Sequence, residues 1–482
     1  MTNDKSQDRW TLNMVLEATE GRLLGHEIEQ PIGGISTDSR RLNPGDLFVA
    51  LKGEHFDGHR FITQAITGGA TAVVIALDRA DRVDLGKLQI PVVGVTDTLR
   101  AFGDLARYWR RRYRIPAVAI TGSNGKTTTK EMVATIVSRT RKVLKNQGTF
   151  NNLIGLPLTL FQLDRTHQAA VLELGMNQPG EIARLAEILR PDLGLITNIQ
   201  PAHLAGLGTL EGIQAAKGEL FAGMPSSATI VVNRDDPRVV ALASTFSGRQ
   251  VGYSATGNLA EVVLDRVVGM DANGSRFLLK LGRGTQEIQL PMIGRHQLNN
   301  AVAAAAVAWS LGIPGNTIAE ALLSFQPVEK RMQVLTLPGD IWVINDSYNA
   351  NPGSMIAALE TLNHLKQEAR AVAILGDMLE LGDESAALHR EVGRVVAKQG
   401  TDHLMAMGER AVDLLAGAVE SGMSDECITR GNTHADLALQ VHRFASSGDW
   451  VLVKGSRKMQ MEKVVEHLIE IRKGSPGKEK GT

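Results

Sequence analysis

A glycine-rich stretch at residues 120–129 (ITGSNGKTTT) constrains the fold of this chain more than any other part of its sequence. It follows an apolar run at residues 117–120 that predicts a β-strand, and it leads into an amphipathic run at residues 126–139 that predicts a helix. This order is typical of a phosphate-binding loop, because small residues let backbone N–H groups converge on phosphate oxygens at a helix N-terminus. In such a loop Lys126 neutralises the β- and γ-phosphates, and Thr127 places its hydroxyl on Mg²⁺.

The loop departs from the general phosphate-loop pattern at its first position. The usual first glycine would stand five residues before Gly125, where this chain has Ile120. The alternative interpretation is a strand–turn–helix junction that is merely rich in glycine. Because Gly-Lys-Thr is rarely accidental in this context, the pattern favours nucleotide binding. The residues that we expect to contact the nucleotide are Gly122, Ser123, Asn124, Gly125, Lys126, Thr127 and Thr128.

Short strand-like runs alternate with helix-like runs along the chain, which predicts an α/β protein. Examples of the predicted strands are Ala72–Ala76, Ala169–Glu173 and Trp450–Lys454. Shifts in composition predict three domains over the 482 residues. These are a small α/β module at 1–97, a central phosphate-loop domain with a parallel sheet at 98–324, and a doubly wound, Rossmann-like domain at 325–482. Residues 250–295 are richer in β-strand pattern, with a turn at 282–284.

The charge and composition exclude several classes of function. Lys plus Arg and Asp plus Glu both number 52, and this zero net charge argues against a dedicated binder of nucleic acid or of anionic membranes. Aromatic residues make up 4%, which argues against a long base-stacking groove. A single cysteine, Cys427, excludes an intramolecular disulfide and fits a reducing cytoplasm. The longest apolar run, residues 301–313, is too short to span a bilayer and predicts a buried helix.

Three polar residues after the loop are candidates for a metal site. Glu173 ends the predicted strand Ala169–Glu173. Parallel sheets bind ligands at the carboxyl ends of their strands, so the carboxylate of Glu173 is suited to Mg²⁺. The alternative is a solvated glutamate. His203 follows another predicted strand, and the alternative is a loop histidine with local hydrogen bonds. Lys217 lies on the next predicted helix, where an ordinary surface lysine is the alternative.

Residues 233–236 (NRDD) superficially resemble the guanine-reading Asn-Lys-x-Asp of GTPases, with Arg in the Lys place. A helix cap made by the aspartate pair is the simpler explanation. We therefore expect a cap here rather than a guanine site.

Segments across nearly the whole chain resemble the Mur ligase family, which builds the peptide of bacterial peptidoglycan. The family's phosphate loop also lacks the first glycine. The resembling segments lie in the family's order at residues 37–40, 44–48, 56–59, 121–127, 173–175, 198–203, 294–300 and 346–350. Four of the longer matches, at residues 150–157, 198–204, 345–352 and 375–382, are most similar to the member that adds a D-alanyl-D-alanine dipeptide. The Asp-Asn-Pro-Arg motif of the diaminopimelate-adding member is absent.

The resemblance implies an ATP-dependent amide ligase in peptidoglycan precursor synthesis. It implies that UDP-N-acetylmuramoyl-tripeptide and D-alanyl-D-alanine are the substrates, that ATP is consumed through an acyl phosphate, and that the third domain rotates onto the second when nucleotide binds. The expected protein is a cytoplasmic monomer without nucleic-acid partners or membrane insertion. The segment at 37–59 resembles the family's UDP-sugar module, and the residues expected to bind UDP are Ser39, Arg40, Asp57, Gly58 and His59.

The resemblance also implies roles for individual residues of the central and third zones. Thr127, Glu173 and His203 would hold Mg²⁺, and Lys217 would act as a metal ligand after carbamylation by CO₂. Asn152 (or its neighbour Asn151) and Asn300 would lie near the base. Arg331 would reach the γ-phosphate, with a surface position as the alternative for this residue. Asp346 would contact the nucleotide. The implied catalytic residues are Lys126, Lys217, His203 and Arg331. The family usually has His-Asn where this chain has His296-Gln297, and residues 454–457 (KGSR) match without an assigned role.

Three other functions are compatible with parts of the pattern. A related ligase, such as one that adds glutamate to folate, shares the loop but does not need the module at 37–59. A regulatory NTPase would need no carboxylate or amine substrate. A non-catalytic binding protein with a relic loop is disfavoured by the intact Lys126 and Thr127.

Overall fold

The structure, a computed structural model, describes residues 9–28, 30–53, 56–82, 88–148, 150–202 and 204–474. Strands and helices alternate along it, which confirms the predicted α/β class. The strands are β1 Arg22–Leu23, β2 Ile35–Ser36, β3 Leu47–Val49, β4 Ala72–Ala76, β5 Val92–Val95, β6 Ala117–Thr121, β7 Val143–Lys145, β8 Ala169–Glu173, β9 Leu193–Ile196, β10 Thr229–Asn233, β11 Arg249–Ser254, β12 Val262–Asp271, β13 Gly274–Leu281, β14 Gly284–Leu290, β15 Gln333–Leu337, β16 Ile341–Asp346, β17 Ala371–Gly376, β18 His403–Met407, β19 Ile428–Arg430 and β20 Trp450–Lys454.

The helices connect these strands, and α4 (Lys126–Val137) begins at the predicted Lys126 and ends two residues before the predicted position 139. They are α1 Leu12–Thr19, α2 Ile62–Thr67, α3 Thr98–Arg111, α4 Lys126–Val137, α5 Gly155–Leu160, α6 Glu181–Leu189, α7 Leu204–Leu207, α8 Leu210–Ala222, α9 Pro237–Ala243, α10 Arg295–Ser310, α11 Gly315–Leu323, α12 Pro352–Lys366, α13 Ser385–Lys398, α14 Ala411–Glu420, α15 His434–Phe444 and α16 Glu462–Gly474. Short 3₁₀ helices include Gly58–Phe61, Leu77–Arg82, Gly382–Glu384, Asp425–Cys427 and Arg457–Met459.

The chain folds into two compact units, of which the first takes residues 1–119, 141–176 and 180–192. It contains a five-stranded sheet in the order β1-β5-β4-β3-β2, parallel except for the antiparallel edge strand β1. Phe48, Ile75 and Val92 pack in the core of this sheet. β7 and β8 of the same unit pair in parallel.

The second unit takes residues 120–140, 177–179 and 193–482. Its strands β9 to β12 pair in parallel, and β12, β13 and β14 continue as an antiparallel meander. The predicted β-rich stretch at 250–295 is thus confirmed, but the sheet is mixed rather than wholly parallel. The reason is that tight turns at Gly274 and Gly282, both with positive φ, join neighbouring strands directly and so force them to run antiparallel.

A six-stranded sheet with the order β15-β16-β20-β17-β18-β19 forms the later part of the second unit, and only β15 runs antiparallel. Successive residues of one strand enter different cores: Val343 packs in one cluster and Ile344 in the other. Side chains alternate across a strand, so this sheet is covered on both faces, as the predicted doubly wound arrangement requires.

Helix α10 is the buried helix that the apolar run at 301–313 predicts, since every residue from Ala301 to Ala308 is buried. Within the described part of the chain, the helices fall short of the combined length and apolarity that crossing a membrane needs.

Candidate active site

The phosphate loop joins β6 to α4 and bends at two glycines that no other residue could replace without strain. Gly122 has φ +142° and Gly125 has φ +80°, both in the region that favours glycine. A Cβ on Gly122 would lie 1.9 Å from Oγ1 of Thr197, and one on Gly125 would lie 2.2 Å from Oδ1 of Asn300. The loop is therefore pressed against two polar side chains, and its glycines are required by close approach as well as by φ.

Two lysines converge on the first glycine of the loop. Nζ of Lys126 donates to the carbonyl oxygens of Gly122 at 2.7 Å and Ser123 at 3.2 Å, and Nζ of Lys217 donates to the same Gly122 oxygen at 3.1 Å. Lys217 is 1% exposed, so it is not the ordinary surface lysine that the sequence allowed. Burial, and then the charge of Lys126, hold the pKa of Lys217 well below its usual value.

Arg331 reaches the same loop from a distant part of the sequence. Its Nη2 donates to Oγ1 of Thr127 at 3.0 Å, and its guanidinium carbon lies 4.0 Å from the ring centroid of Tyr348. Nε of Arg331 is buried without a hydrogen-bond partner among the described residues. The predicted alternative of a surface arginine is therefore wrong. We call Lys126, Lys217 and Arg331 the loop cations.

Asn300, which the resemblance assigns to the base, packs behind the start of α4. Its Oδ1 accepts from Oγ1 of Thr129 at 3.3 Å, and its Nδ2 donates to Oε1 of Gln297 at 3.0 Å. Gln297 and Asn300 are both buried. Gln297, the position where this chain departs from the family's His-Asn, thus holds Asn300 in place one helical turn away.

Four residues without an assigned role surround Asn124 of the loop. Its backbone N–H donates to Oδ1 of Asn198, and its backbone oxygen accepts from Oγ1 of Thr197. Its side chain pairs with Gln200 and with Asn351. Sequence reasoning missed these contacts. The only local signal was Asn351-Pro352, a typical start of a helix.

The carboxyl ends of β16 and β20 carry a second group of charges, in which the cations have carboxylate partners. Nζ of Lys454, 2% exposed, lies 2.5 Å from Oδ2 of Asp346. Oε1 of Glu462 forms ion pairs with Nζ of Lys330 at 2.8 Å and with Nη1 of Arg457 at 2.5 Å. Burial raises the pKa of Glu462, but the hydrogen bonds from the two cations outweigh it and lower that pKa to about 2. The strand-end cluster, as we call it, is Asp346, Lys454, Lys330, Arg457 and Glu462.

The residues predicted to bind the metal do not all lie in the same compact unit. Glu173 belongs to the first unit, is 1% exposed, and accepts from Nδ2 of Asn151 at 2.7 Å. Thr127 and Lys217 belong to the second unit. His203 lies outside the described residues. Across the residues that are described, no three His, Cys, Asp or Glu side chains come together as a metal cluster.

Asn152, assigned by resemblance to the base, contacts backbone in the first unit. Its Oδ1 accepts from the N–H groups of Ile154 at 3.2 Å and Gly155 at 2.8 Å, at the start of α5. Its predicted contact with the nucleotide stays a prediction.

The residues expected to bind UDP form two internally bonded groups in the first unit. The hydrogen bonds of Arg40 hold the pKa of Asp38 at about 2, while Oγ of Ser39 donates to Gln64 at 3.0 Å. Nδ1 of His59 pairs with Asp57 at 2.6 Å, and its Nε2 accepts from the N–H of Ala76 at 2.9 Å. Both ring nitrogens are thus engaged.

Gly58 lies between these two residues and close to another backbone segment. A Cβ added there would be 2.8 Å from the carbonyl oxygen of Leu51. The segment at 57–59 therefore has a fixed shape, and its contact with UDP stays a prediction.

The aspartate pair after β10 has structural partners, as the simpler explanation predicts. Oδ1 of Asp236 accepts from the backbone N–H groups of Arg238 and Val239 at the start of α9. Asp235 accepts from Ser254 at 2.6 Å and from the N–H of Ala255 at 2.6 Å. The helix cap is confirmed.

Taken together, the loop cations and the glycine turn at a helix N-terminus are suited to an anion with several oxygens. The Nζ atoms of Lys126 and Lys217 and the guanidinium of Arg331 approach one loop within 3.2 Å of its carbonyl and hydroxyl oxygens. The negative charge of a triphosphate bound at this loop would balance the positive charge of these side chains.

Three family models match successive stretches of the chain. They are described as Mur ligase family, catalytic domain (residues 31–110), Mur ligase middle domain (residues 120–308) and Mur ligase, glutamate ligase domain (residues 330–457). The confirmed resemblance thus extends over most of the sequence.

Curated relatives and solved structures agree with these matches. The UDP-N-acetylmuramoyl-tripeptide–D-alanyl-D-alanine ligase of Escherichia coli (strain K12) is 36% identical over 462 residues, 95% of this chain and 98% of the relative. The ligase of the same name from Bacillus subtilis (strain 168) is 35% identical, with the same coverage. A crystal structure of MurF from Acinetobacter baumannii matches with a TM-score of 0.86 at 33% identity, covering 96% of this chain and 99% of that one. MurF ligase from Thermotoga maritima in complex with ADP matches with a TM-score of 0.81 at 26% identity, covering 91% and 98%.

Proposed function

This chain belongs to the Mur ligase family, and from that premise we propose that it joins D-alanyl-D-alanine to UDP-N-acetylmuramoyl-tripeptide at the expense of ATP. Relatives of that name match it along almost their entire length, which supports this member of the family over a folate-type ligase. The observation that carries the proposal is the approach of Lys126, Lys217 and Arg331 to one phosphate loop.

ATP is needed because a free carboxylate is a poor acyl donor, whose leaving group would be oxide. In the proposed reaction an oxygen of the tripeptide's terminal carboxylate attacks the γ-phosphorus, and ADP leaves. The resulting acyl phosphate is attacked at carbon by the amine of D-alanyl-D-alanine. The tetrahedral intermediate expels phosphate and the nitrogen loses a proton, which leaves an amide.

The loop cations act on the first of these steps. Backbone N–H groups of the loop and of the start of α4 hold the phosphates, apart from those of Ser123 and Asn124, which donate to Asn198. Lys126 and Arg331 spread the charge that develops on the transferred phosphoryl group. Arg331 already reaches the loop at Thr127, so it needs only a short displacement to contact an oxygen bound there. We assign Asn152, Asn300 and Asp346 to the nucleotide, in line with the family resemblance.

We assign Mg²⁺ to Thr127, Glu173, His203 and Lys217. When bound, the ion supplies positive charge against the phosphate oxygens. Glu173 offers a buried carboxylate, which suits a hard cation. A bare ammonium at Lys217 would repel the ion, but the depressed pKa of Lys217 favours the neutral amine. That amine adds to CO₂ through Nζ with loss of one proton, and the carbamate formed is an anionic oxygen ligand.

We further keep the division into domains at 1–97, 98–324 and 325–482. Three successive family matches support the number of domains, and the first of them runs on to residue 110. The acyl phosphate hydrolyses in water, so we propose that the third domain closes over the second during reaction. We place the reaction in the cytoplasm, where ATP is available and Cys427 stays reduced.

The test is a product assay by mass with purified protein, ATP, Mg²⁺ and UDP-N-acetylmuramoyl-tripeptide. D-alanyl-D-alanine is compared with L-alanyl-L-alanine, glycine and glutamate as the amine. We expect a new amide with D-alanyl-D-alanine, together with one ADP per product. Without the tripeptide no ADP should form, and without the amine ADP formation should stop at about one ADP per protein molecule, because the acyl phosphate forms before the amine reacts. ADP formation that is independent of both substrates would instead identify a regulatory NTPase.

A further inference from the structure

The N-terminus of α12 contacts the phosphate loop, although the two lie far apart in the sequence. Nδ2 of Asn351, the residue before α12, donates to Oδ1 of Asn124 at 2.7 Å across 227 residues of chain. Both residues belong to the second unit. This amide contact has no part in the roles assigned so far.

Asn124 links that helix end to the rest of the loop. Its Nδ2 donates to Oε1 of Gln200 at 2.7 Å, so the side chain is held from two sides. Its backbone is held by Thr197 and Asn198, and the neighbouring Ser123 exchanges hydrogen bonds with the backbone of Gln200. A displacement of Asn351 is therefore transmitted to the position of the loop between its two glycines.

Gly353, in the first turn of α12, makes the close approach geometrically feasible. A Cβ at Gly353 would lie 2.2 Å from Oε1 of Gln200 and 3.3 Å from Nδ2 of Asn124. Its φ is not in the glycine region, so its backbone conformation is open to alanine. Alanine is also the better helix former, by about 1 kcal/mol. The absence of a side chain here thus serves the contact with Gln200 rather than the helix.

We propose that Asn351 is a positioning residue for phosphoryl transfer: it holds Asn124, and through Asn124 the phosphate loop, in the geometry that the reaction needs. The proposal rests on the ligase function proposed above. Asn351 reaches the loop from the predicted third domain, as Arg331 does at Thr127, so the two contacts arrive together when that domain is in place.

Asn351 also caps α12, and the test must separate the two roles. Its Oδ1 accepts from the N–H of Ser354 at 2.9 Å, and Oγ of Ser354 accepts from the N–H of Asn351 at 3.0 Å. Asn351→Ser keeps a capping oxygen but lacks the amide that reaches Asn124. Ser354→Ala is the matched control, because it weakens the capping box and leaves the amide of Asn351 intact. Gly353→Ala displaces Gln200 without touching the cap.

The experiment compares kcat, the KM of each substrate and the Tm for the wild type and these variants. We expect Asn351→Ser and Gly353→Ala to lower kcat about tenfold, the equivalent of about 1.4 kcal/mol, with the KM of UDP-N-acetylmuramoyl-tripeptide within twofold. Ser354→Ala should lower Tm by a few degrees and change kcat less than twofold. The double variant Asn124→Ala/Asn351→Ser should be no slower than the worse single one, since both remove the same bond.

A kcat for Asn351→Ser equal to that of Ser354→Ala would overturn the positioning role and leave only the cap. Additive losses in the double variant would overturn it as well, because the two side chains would then act separately. If the wild type forms no product, the proposed ligase function is wrong. If the wild type is active and Asn351→Ser has the same kcat, only the positioning role of Asn351 is wrong.

Discussion

The loop cations and the strand-end cluster both bury lysine, but they balance its charge differently. Lys454 in the strand-end cluster is 2% exposed and lies against the carboxylate of Asp346. Lys217 at the loop is 1% exposed and donates to a carbonyl oxygen, and no carboxylate of the described residues forms an ion pair with it. Each cation of the strand-end cluster thus has a carboxylate partner, although Lys330 and Arg457 share one, whereas Lys217 is suited to a partner that the protein does not supply.

The difference has an energetic consequence. Burying a charge without a counter-charge costs several kcal/mol, and a protein lowers this cost by shifting the pKa. Burial and the charge of Lys126 lower the pKa of Lys217 in this way. Strongly perturbed groups beside a ligand-binding loop are typical of functional sites. Lys217 is therefore the residue at which this comparison is best tested.

The largest expected effect comes from removing a loop cation. Lys126→Ala should lower kcat at least about a hundredfold, because developing negative charge on the phosphoryl group loses a positioned cation. The dissociation constant of UDP-N-acetylmuramoyl-tripeptide, measured by calorimetry without ATP, should change less than twofold. The exposed Lys458→Ala serves as the control. A fully active Lys126→Ala would remove the loop from the mechanism.

The next effect sharpens the contrast between the two buried lysines. Lys454→Met should lower the free energy of unfolding by about 3 kcal/mol, because it leaves the partly buried carboxylate of Asp346 without its cation. Lys217→Met should raise it by about 1 kcal/mol, because an unbalanced amine is replaced by an apolar chain of similar length. Urea unfolding without substrates measures both. Equal losses in the two variants would show that the two sites do not differ in charge balance.

A smaller effect concerns acid stability of the strand-end cluster. The pKa of Glu462 is about 2 in the folded protein and near 4.5 when unfolded, so between these values the unfolded chain binds more protons. Stability from this group is therefore complete above about pH 4.5 and is lost as pH falls toward 2. In Glu462→Gln the acid-induced loss of unfolding free energy should be smaller than in the wild type by about 2 kcal/mol. This figure is reduced because Arg457, one of the two cations, is exposed to solvent and its interaction is screened.

The control for this measurement is Glu466→Gln, an exposed position on the same helix α16. In urea unfolding at pH 7, 4.5 and 3, the free energy of unfolding of this variant should change with pH as that of the wild type does. If Glu462→Gln also follows the wild-type curve, the two cations do not hold the Glu462 carboxylate in the way described.

The smallest effect tests the support of the loop from α10. Gln297→Asn shortens the side chain that holds Asn300 and should cost about 1 kcal/mol of stability, the usual value of one hydrogen bond. The KM of ATP should rise about twofold to threefold through Asn300. An improved KM would mean that the shorter residue, usual in the family, contacts the nucleotide better than Gln297 does.

The sequence by itself determined the local elements and the family of this protein. β4, β8 and β20 have the predicted bounds, α10 is the predicted buried helix, and Asp236 is the predicted cap, because strand runs, apolar helix runs and caps are patterns over a few neighbouring residues. The phosphate loop was equally visible, since glycine, lysine and threonine lie next to each other at a strand–helix junction.

Only the tertiary structure decided which side chains meet at that loop. Arg331 contacts Thr127 across 204 residues and Asn351 contacts Asn124 across 227, and neither pairing leaves a periodic trace in the sequence. The burial of Lys217, and the use of both ring nitrogens of His59 within the fold, likewise depend on what packs against them. The physical reason is that charge balance and desolvation are set by neighbours in space, whereas residue patterns report only neighbours along the chain.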